Sequence, residues 1–272
     1  VNWSAAEKLD NRTTARKIVT FNNLLETGVA FRYDSLSSTQ KLLLDANETT
    51  ARALLDYLRG STSEEGGLFR DRAHILGDVV HASPIGYRWD SGPGAVFVGA
   101  NDGMLHALDE ATGEEIFAYV PNLVFANLKH LADEPYVHRF YVDNEPYITK
   151  LGSTGATLLM GGLGRGGRGY YCLDISGMGS SGFDTQTEGA LSSIVKWEWP
   201  VNSDPENAAV DPDMGYSFGQ AFIVNTNAGY VAIFPNGYDS ANGKAVLFAW
   251  RLSSDGTPLD IEPTRIDTGV GS

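Results

Sequence analysis

Two kinds of hydrophobic spacing divide the chain. In residues 1–36 the periodicity is weak, although Lys17–Phe21 and Ala30–Tyr33 each read as a short strand. Ser37-Ser38-Thr39-Gln40 then resembles a capping box, in which a hydroxyl and an amide three residues on satisfy each other's backbone N–H groups. Leu42, Leu43 and Ala46 follow at helical spacing, and Ala51, Leu54, Leu55 and Leu58 share one helix face. Gly60 stops this second run as a left-handed cap does. The spacing predicts helices near 38–45 and 48–59, packed on the chain's own domain, followed by a small polar linker at 61–67.

After residue 74 the pattern changes to short strands separated by turn residues. Val79–Ser83 alternates, Ala95–Gly99 is a buried-type strand, and Asn101-Asp102-Gly103 is a hairpin turn. Met104–Asp109 and Glu115–Val120 complete a four-strand unit around the Thr112-Gly113 turn. The order recurs in Pro146–Thr149, Thr157–Gly161, Gly169–Ile175 and Val195–Trp199. A third pass runs through Gln220–Val224, Tyr230–Phe234, Ala245–Trp250 and Pro258–Ile261. Repeated four-strand antiparallel units are the mark of propeller blades, each burying its apolar faces only on its neighbours. The expected fold is all-β, a partial propeller of about three blades with a short helical segment before it. The expected boundaries are 1–73 for that segment and about 74–121, 140–200 and 215–263 for the blades. Three blades cannot close a ring of roughly four to eight. The arc is therefore expected to leave two faces wet unless further blades of the same or another chain, beyond Ser272 or elsewhere, cover them. The chain starts at Val1 without Met and reads as part of a longer protein.

Composition narrows the function. Glycine is 31 of 272 residues, above the usual 7% or so, as many tight turns require. The net charge of −14 and the lack of a basic stripe argue against nucleic acid as a partner. No apolar run is long enough for a transmembrane segment. One cysteine, Cys172, excludes an intrachain disulfide and a cysteine-based zinc site, and its apolar strand makes it a buried small hydrophobe.

Several motifs carry candidate chemistry. Gly162-Leu163-Gly164-Arg165-Gly166-Gly167 matches G-x-G-x-x-G, but a strand follows it where a dinucleotide site needs a helix. It reads as a long flexible hairpin, with Arg165 and Arg168 available to an anionic partner. Asp211 and Asp213 offer two carboxylates to calcium, yet lack further ligands at alternating spacing and read as a solvated turn. His81, His106, Asp78, Asp102 and Ser83 can be written as a catalytic constellation, but no nucleophile elbow supports it. They read as turn and inter-blade hydrogen-bonding residues, so no catalytic, cofactor or metal residue is assigned. The inserts at 121–140 and 176–194 would project from the blade rims, where Phe125, Tyr136, His138 and Phe140 are candidate contact points or caps on the next blade. The sequons at Asn2, Asn11 and Asn47 carry no further weight.

Ala107–Phe117 fits the Ala-x-Asp-x-x-Thr-Gly-x-x-x-Trp docking motif and so resembles the blades of quinoproteins, with Phe117 where Trp is usual. A wider series is more specific. Leu55–Gly60, Phe69–Arg72, Leu76–Pro84, Val98–Ala107, Phe117–Pro121, Asp213–Tyr216 and Asn236–Tyr238, in that order, resemble the C-terminal propeller domain of the PilC/PilY family of type IV pilus biogenesis factors and tip adhesins. The resemblance runs from about residue 15 onward. It implies a modified, quinoprotein-like propeller, not an enzyme, in a Gram-negative periplasm, outer membrane or pilus tip. It also implies roles in fimbrium biogenesis, pilus extension, twitching and surface attachment, with pilin, minor pilins and a host or abiotic surface as partners. The family's calcium loop would follow a string like Asp267–Gly271 and is therefore expected after Ser272. Calcium is thus expected in the full-length family and no cofactor in this chain. The alternatives are a quinone-dependent dehydrogenase and a generic envelope scaffold. One cysteine denies the first its vicinal disulfide, and the long inserts are unlike the second.

Overall fold

A computed structural model describes residues 3–90, 92–180, 183, 186–201 and 211–271. Asn2 of the first sequon, residues 181, 182, 184 and 185 of the second insert, and Ser272 lie outside the described residues.

The chain opens with helix α1 (Ala5–Asp10) and the hairpin β1 (Ile18–Asn22) and β2 (Thr27–Ala30). The second expected strand therefore lies earlier than Ala30–Tyr33, because Tyr33–Ser35 winds into a short 3-10 turn. Helices α2 (Ser38–Leu44) and α3 (Glu48–Leu58) form where the spacing places them. Ser37 Oγ accepts from Gln40 N at 3.1 Å and Gln40 Oε1 accepts from Ser37 N at 3.0 Å, so the capping box is complete. Asn47, the third sequon's asparagine, caps α3 through Oδ1 on Thr49 N and Thr50 N. Gly60 ends α3 at φ +105°, with Gly60 N on Tyr57 O and Ser61 N on Asp56 O, the paired bonds of a Schellman cap.

Three antiparallel four-strand sheets follow. Blade 1 is β3 (Ile85–Arg88), β4 (Gly94–Gly99), β5 (Leu105–Asp109) and β6 (Glu115–Val120). Strand β1 joins it in parallel to β6, so the sheet has six strands in the order β2-β1-β6-β5-β4-β3. Blade 2 is β7 (Tyr147–Lys150), β8 (Thr157–Gly162), β9 (Tyr170–Asp174) and β10 (Val195–Trp199). Blade 3 is β11 (Phe222–Thr226), β12 (Gly229–Pro235), β13 (Lys244–Leu252) and β14 (Thr264–Gly271).

Two strand positions differ from expectation. Val79–Ser83 is not a strand; Ile85–Arg88 pairs with β4 instead, and the alternation at 79–83 only places Ala82 inward. Pro258–Ile261 is not the last strand either, since Leu259 and Ile261 are exposed. The last strand is β14, mostly polar and exposed along its length, with only Ile266 and Val270 as large apolar residues. The string Asp267–Gly271, expected to lead into a calcium loop after Ser272, is thus the end of a blade strand, and Asp267 is paired with Lys244 at 2.8 Å.

Alternating side chains build the core between sheets. Phe97, Leu105, Phe117 and Tyr119 of blade 1 meet Leu159, Tyr171 and Leu173 of blade 2 in one buried cluster. The opposite side of blade 2, with Tyr170, Trp197 and Trp199, meets Phe234, Phe248 and Trp250 of blade 3. Trp250 lies with its ring centroid 5.1 Å from that of Trp197 and 5.4 Å from that of Trp199.

The expectation of two wet faces is corrected. The far face of blade 1 is covered by the chain itself: Val98 and Leu108 are buried with Ala82, and Trp3 and Ala5 pack on them. Blade 1's far face has this cover in place of a sheet, while among the described residues the far face of blade 3 is left open. Val224, Val231, Ile233, Leu247 and Ile266 share it by register, and Val224, Leu247 and Ile266 are 38%, 37% and 47% exposed. An apolar patch of this kind drives association. Leu247→Glu with Ile266→Glu is therefore expected to lower concentration-dependent self-association in sedimentation velocity. Native-like circular dichroism with unchanged association would contradict this.

Candidate functional site

Most of the acids and histidines singled out by the sequence hold sheets and loops together. His106 is fully buried on β5, on the covered face of blade 1. Its Nδ1 lies 2.9 Å from Glu115 Oε2 and its Nε2 lies 3.0 Å from Asp102 Oδ2. Glu115 in turn accepts from Arg16 Nε at 2.8 Å and from Arg16 Nη2 at 2.7 Å. Asp102 also accepts from the backbone N–H groups of Gly77 and Met104. Two cations and two anions thus form one buried neutral network. Burial disfavours the His106 cation, but Asp102 and Glu115 outweigh it and push its pKa up to about 9. Burial likewise opposes the charge on Glu115 and Asp102, and Arg16 and His106 overcome it, holding both carboxyls below their ordinary range. Sealed between two carboxylates, His106 is a fixed cation.

The other members of the candidate constellation are dispersed. His81 Nδ1 pairs with the buried Asp143 at 2.6 Å. Asp78 takes Asn101 Nδ2 at 3.2 Å and His138 Nε2 at 2.9 Å. Ser83 is exposed. The arrangement therefore brings no nucleophile to a base.

The inserts are packed rather than projecting. In 121–140, Phe125 is buried edge-on to Phe31 at 5.8 Å, within helix α4 (Phe125–Leu128). Gln40 Nε2 ties this insert down through Asn122 Oδ1 at 2.9 Å and reaches Phe21 O at 2.8 Å. Residues 136–140 are the exception and form a surface row. Tyr136 lies under Arg70, His138 meets Phe140 edge-on at 5.0 Å, and Arg165 covers Phe140 at 4.7 Å. Helix α5 (Glu188–Leu191) in the second insert brings Glu188 to Arg59 at 2.7 Å and Arg32 at 2.6 Å.

The glycine-rich loop is also not a flexible hairpin. Gly164–Gly166 is a 3-10 turn wedged between the backbones of Tyr141–Asp143 and Ser217. A Cβ on Gly166 would overlap Tyr141 O, so only glycine fits there. Ser217 Oγ accepts from Leu163 N at 2.8 Å and donates to Gly169 O at 2.7 Å. Arg168 is paired with Asp239 at 3.0 Å, whereas Arg165 lies over Phe140. Asp211 and Asp213 are not a solvated turn: Asp211 is buried, and Arg265 Nη2 donates to it at 2.6 Å. Asn242 Nδ2 donates to Asp213 at 2.6 Å. An arginine thus sits where the calcium reading needed a metal. Among the described residues no group of three or more His, Cys, Asp or Glu could hold a metal ion. Paired with Arg265 and Asn242, these carboxylates do not fit calcium. The calcium loop expected after Ser272 falls outside the described residues, as does Ser272 itself. Cys172 is buried, and burial pushes its thiol up, as expected of a small hydrophobe.

One buried acid carried no motif. Glu198 on β10 is buried between blades 1 and 2, where Tyr119 Oη donates to its Oε1 and Asn122 N donates at 2.7 Å. Among the described residues its Oε2 has no partner, and neither has the hydroxyl of Tyr171, its cross-strand neighbour. Burial pushes the carboxyl up to about 8 against the pull of these donors and of Leu123 N. Val195–Trp199 alternates apolar and charged residues, which reads Glu198 as solvent-facing with Lys196, so no signal marked its burial.

The docking motif is built as its residue types require. Asp109 Oδ1 accepts from Ala111 N, Thr112 N and Thr112 Oγ1, and Gly113 takes φ +75°. Phe117 wedges edge-on against Phe183 of blade 2 at 5.8 Å. A family model described as the PilY1 beta-propeller domain matches residues 88–260, most of the three sheets just described.

The chain belongs to the PilY1 β-propeller family.

Its similarity to curated PilY1 proteins extends beyond the matched residues. A type IV pilus biogenesis factor PilY1 homolog of Xylella fastidiosa is 34% identical over 89% of this chain, and that alignment covers 18% of the relative. The type IV pilus biogenesis factor PilY1 of Pseudomonas aeruginosa strain PAK is 30% identical over 98% of this chain and 25% of the relative. The chain therefore spans a quarter or less of these relatives' length. The crystal structure of the Pseudomonas aeruginosa PilY1 C-terminal domain is similar over 66% of this chain and 32% of that one, at 30% identity and a TM-score of 0.43. No helix among the described residues is long and apolar enough to cross a membrane.

Proposed function

We propose that this chain is the propeller module of a type IV pilus biogenesis factor, a non-enzymatic scaffold that promotes pilus extension and surface attachment. The observation that carries the reading is the PilY1 propeller match over residues 88–260, laid on three stacked four-strand sheets. In this reading the protein works in the Gram-negative envelope or at the pilus tip, with pilin and minor pilins as assembly partners. The host or abiotic surface is its adhesion target. The packing supports a scaffold role, because the acids and histidines at 78–143 are engaged in holding sheets and loops in place. The surface row Tyr136, His138 and Phe140, with Arg165, is one contact surface for a partner. Calcium control is assigned to polypeptide other than the described residues, since Arg265 occupies the Asp211–Asp213 turn.

The test is an in-frame deletion of the coding segment in a piliated host. Surface pili, twitching zones and attached cells are expected to fall at least tenfold and to return on complementation. Unchanged piliation and attachment, with the remaining protein still present by immunoblot, would overturn the proposal.

A further inference from the structure

Each blade in this arc receives an aromatic side chain on the connection between its third and fourth strands. Blade 2 receives Phe117, from the fourth strand of blade 1, against Phe183. Blade 3 receives Trp197, from the fourth strand of blade 2, whose indole Nε1 donates to Gly256 O at 3.2 Å. Blade 1 has no preceding blade among the described residues, yet its connection is filled in the same way. Trp3 Nε1 donates to Glu110 O at 3.1 Å, and the indole lies so close to Gly113 that a Cβ there would overlap the ring. Gly113 and Gly256, one on each of these two receiving turns, both take positive φ, +75° and +84°.

The segment that carries Trp3 is fastened along the same edge. Lys8 pairs with Glu114 at 3.0 Å, and Arg12 Nη1 donates to Glu115 O at 2.7 Å. Arg16 reaches the Glu115 carboxylate, and Leu9 is buried. Trp3 and Ala5 complete the cover over Val98 and Leu108.

We propose that residues 3–16 are a docking strap that stands in for the outer strand of a preceding blade. The Asp109–Gly113 turn is then a binding site for a tryptophan-bearing peptide segment, filled here in cis. It follows that a further sheet cannot dock on this turn of blade 1 while the strap is in place. Sheets can add freely only on the open face of blade 3. Around Trp3 the strap is held by one indole and one surface ion pair, Lys8–Glu114, contacts that a competing segment of like chemistry can replace, while Arg16 anchors the far end in the buried network.

The experiment is hydrogen exchange on the whole chain. Trp3→Ala is expected to speed exchange of the amides of 105–118 at least tenfold. Trp197→Ala is expected to do the same at 250–257, while each variant leaves the other's turn within twofold of the parent. A synthetic peptide of residues 1–16, added at millimolar concentration to the Trp3→Ala chain, is expected to restore protection at 105–118. The same peptide with Ala in place of Trp is expected not to. Should Trp3→Ala lose the fold by far-UV circular dichroism, Trp3→Phe with the same peptides takes its place. Exchange at 105–118 within twofold of the parent in the folded variant would overturn the proposal. So would equal rescue by the two peptides, or no rescue by either.

Discussion

Replacing Glu115 by Ala is expected to destabilise the folded chain by about 3–5 kcal/mol, the cost of stranding buried charge without its partner. The substitution removes the carboxylate that both Arg16 and His106 share, leaving two buried cations facing Asp102 alone. At roughly 2–4 °C per kcal/mol for a chain of this size, the melting temperature falls by about 6–20 °C. Glu115→Gln keeps a hydrogen-bonding carbonyl and is expected to cost less than the alanine change. The network also sets a pH window. His106 is raised in the folded state, so its contribution is present below about 6.5 and is lost as pH rises through about 9. Glu115 and Asp102 are lowered, so theirs is present above the usual carboxylate range and is lost in acid. Stability measured by urea titration is expected to fall on both sides of this plateau. A Glu115→Ala variant within about 1 kcal/mol of the parent at pH 7 would contradict the network's role.

Glu198→Gln is the second large effect, and its sign is opposite above neutrality. The folded carboxyl is raised from 4.5 to about 8, so its proton stabilises the fold fully below pH 4.5. That stabilisation is lost progressively up to about pH 8, at about 1.4 kcal/mol per unit. Glutamine keeps an oxygen for Tyr119 Oη and Asn122 N and has no charge to desolvate. Its NH2 stands where the partnerless Oε2 is, on the strand paired to Tyr171, whose hydroxyl also lacks a partner. The variant is expected to match the parent near pH 5 and to exceed it by several kcal/mol near pH 9 in chemical denaturation. Parallel pH profiles for the two proteins would contradict a raised Glu198 carboxyl and show it ionised at neutral pH.

Both residues mark the limit of reading a chain by pattern. Glu115 stands inside a recognisable docking motif, where nothing in the spacing names Arg16, 99 positions earlier, as its partner. Glu198 alternates with Trp197 and Trp199 as a solvent-facing residue would, and its donors come from Tyr119 and Asn122, on blade 1 and the insert after it. The glycine-rich loop misleads in the other direction. Its composition suggests freedom, whereas the glycines are there because the backbones of Tyr141 and Ser217 leave no room for a Cβ.

What the amino-acid order determined by itself is local and periodic: the α2 and α3 helices with their caps, most blade strands, the propeller class and the family. These follow from short-range rules, in which a few neighbouring residues decide the backbone and alternation decides which face is buried. Tertiary structure alone decided the rest. It folded the opening strap over blade 1, moved two edge strands, turned the inserts inward and gave Asp211 an arginine rather than a metal. Each of those outcomes depends on which surfaces remain to be covered once the sheets have stacked, a long-range condition that leaves no period in the sequence.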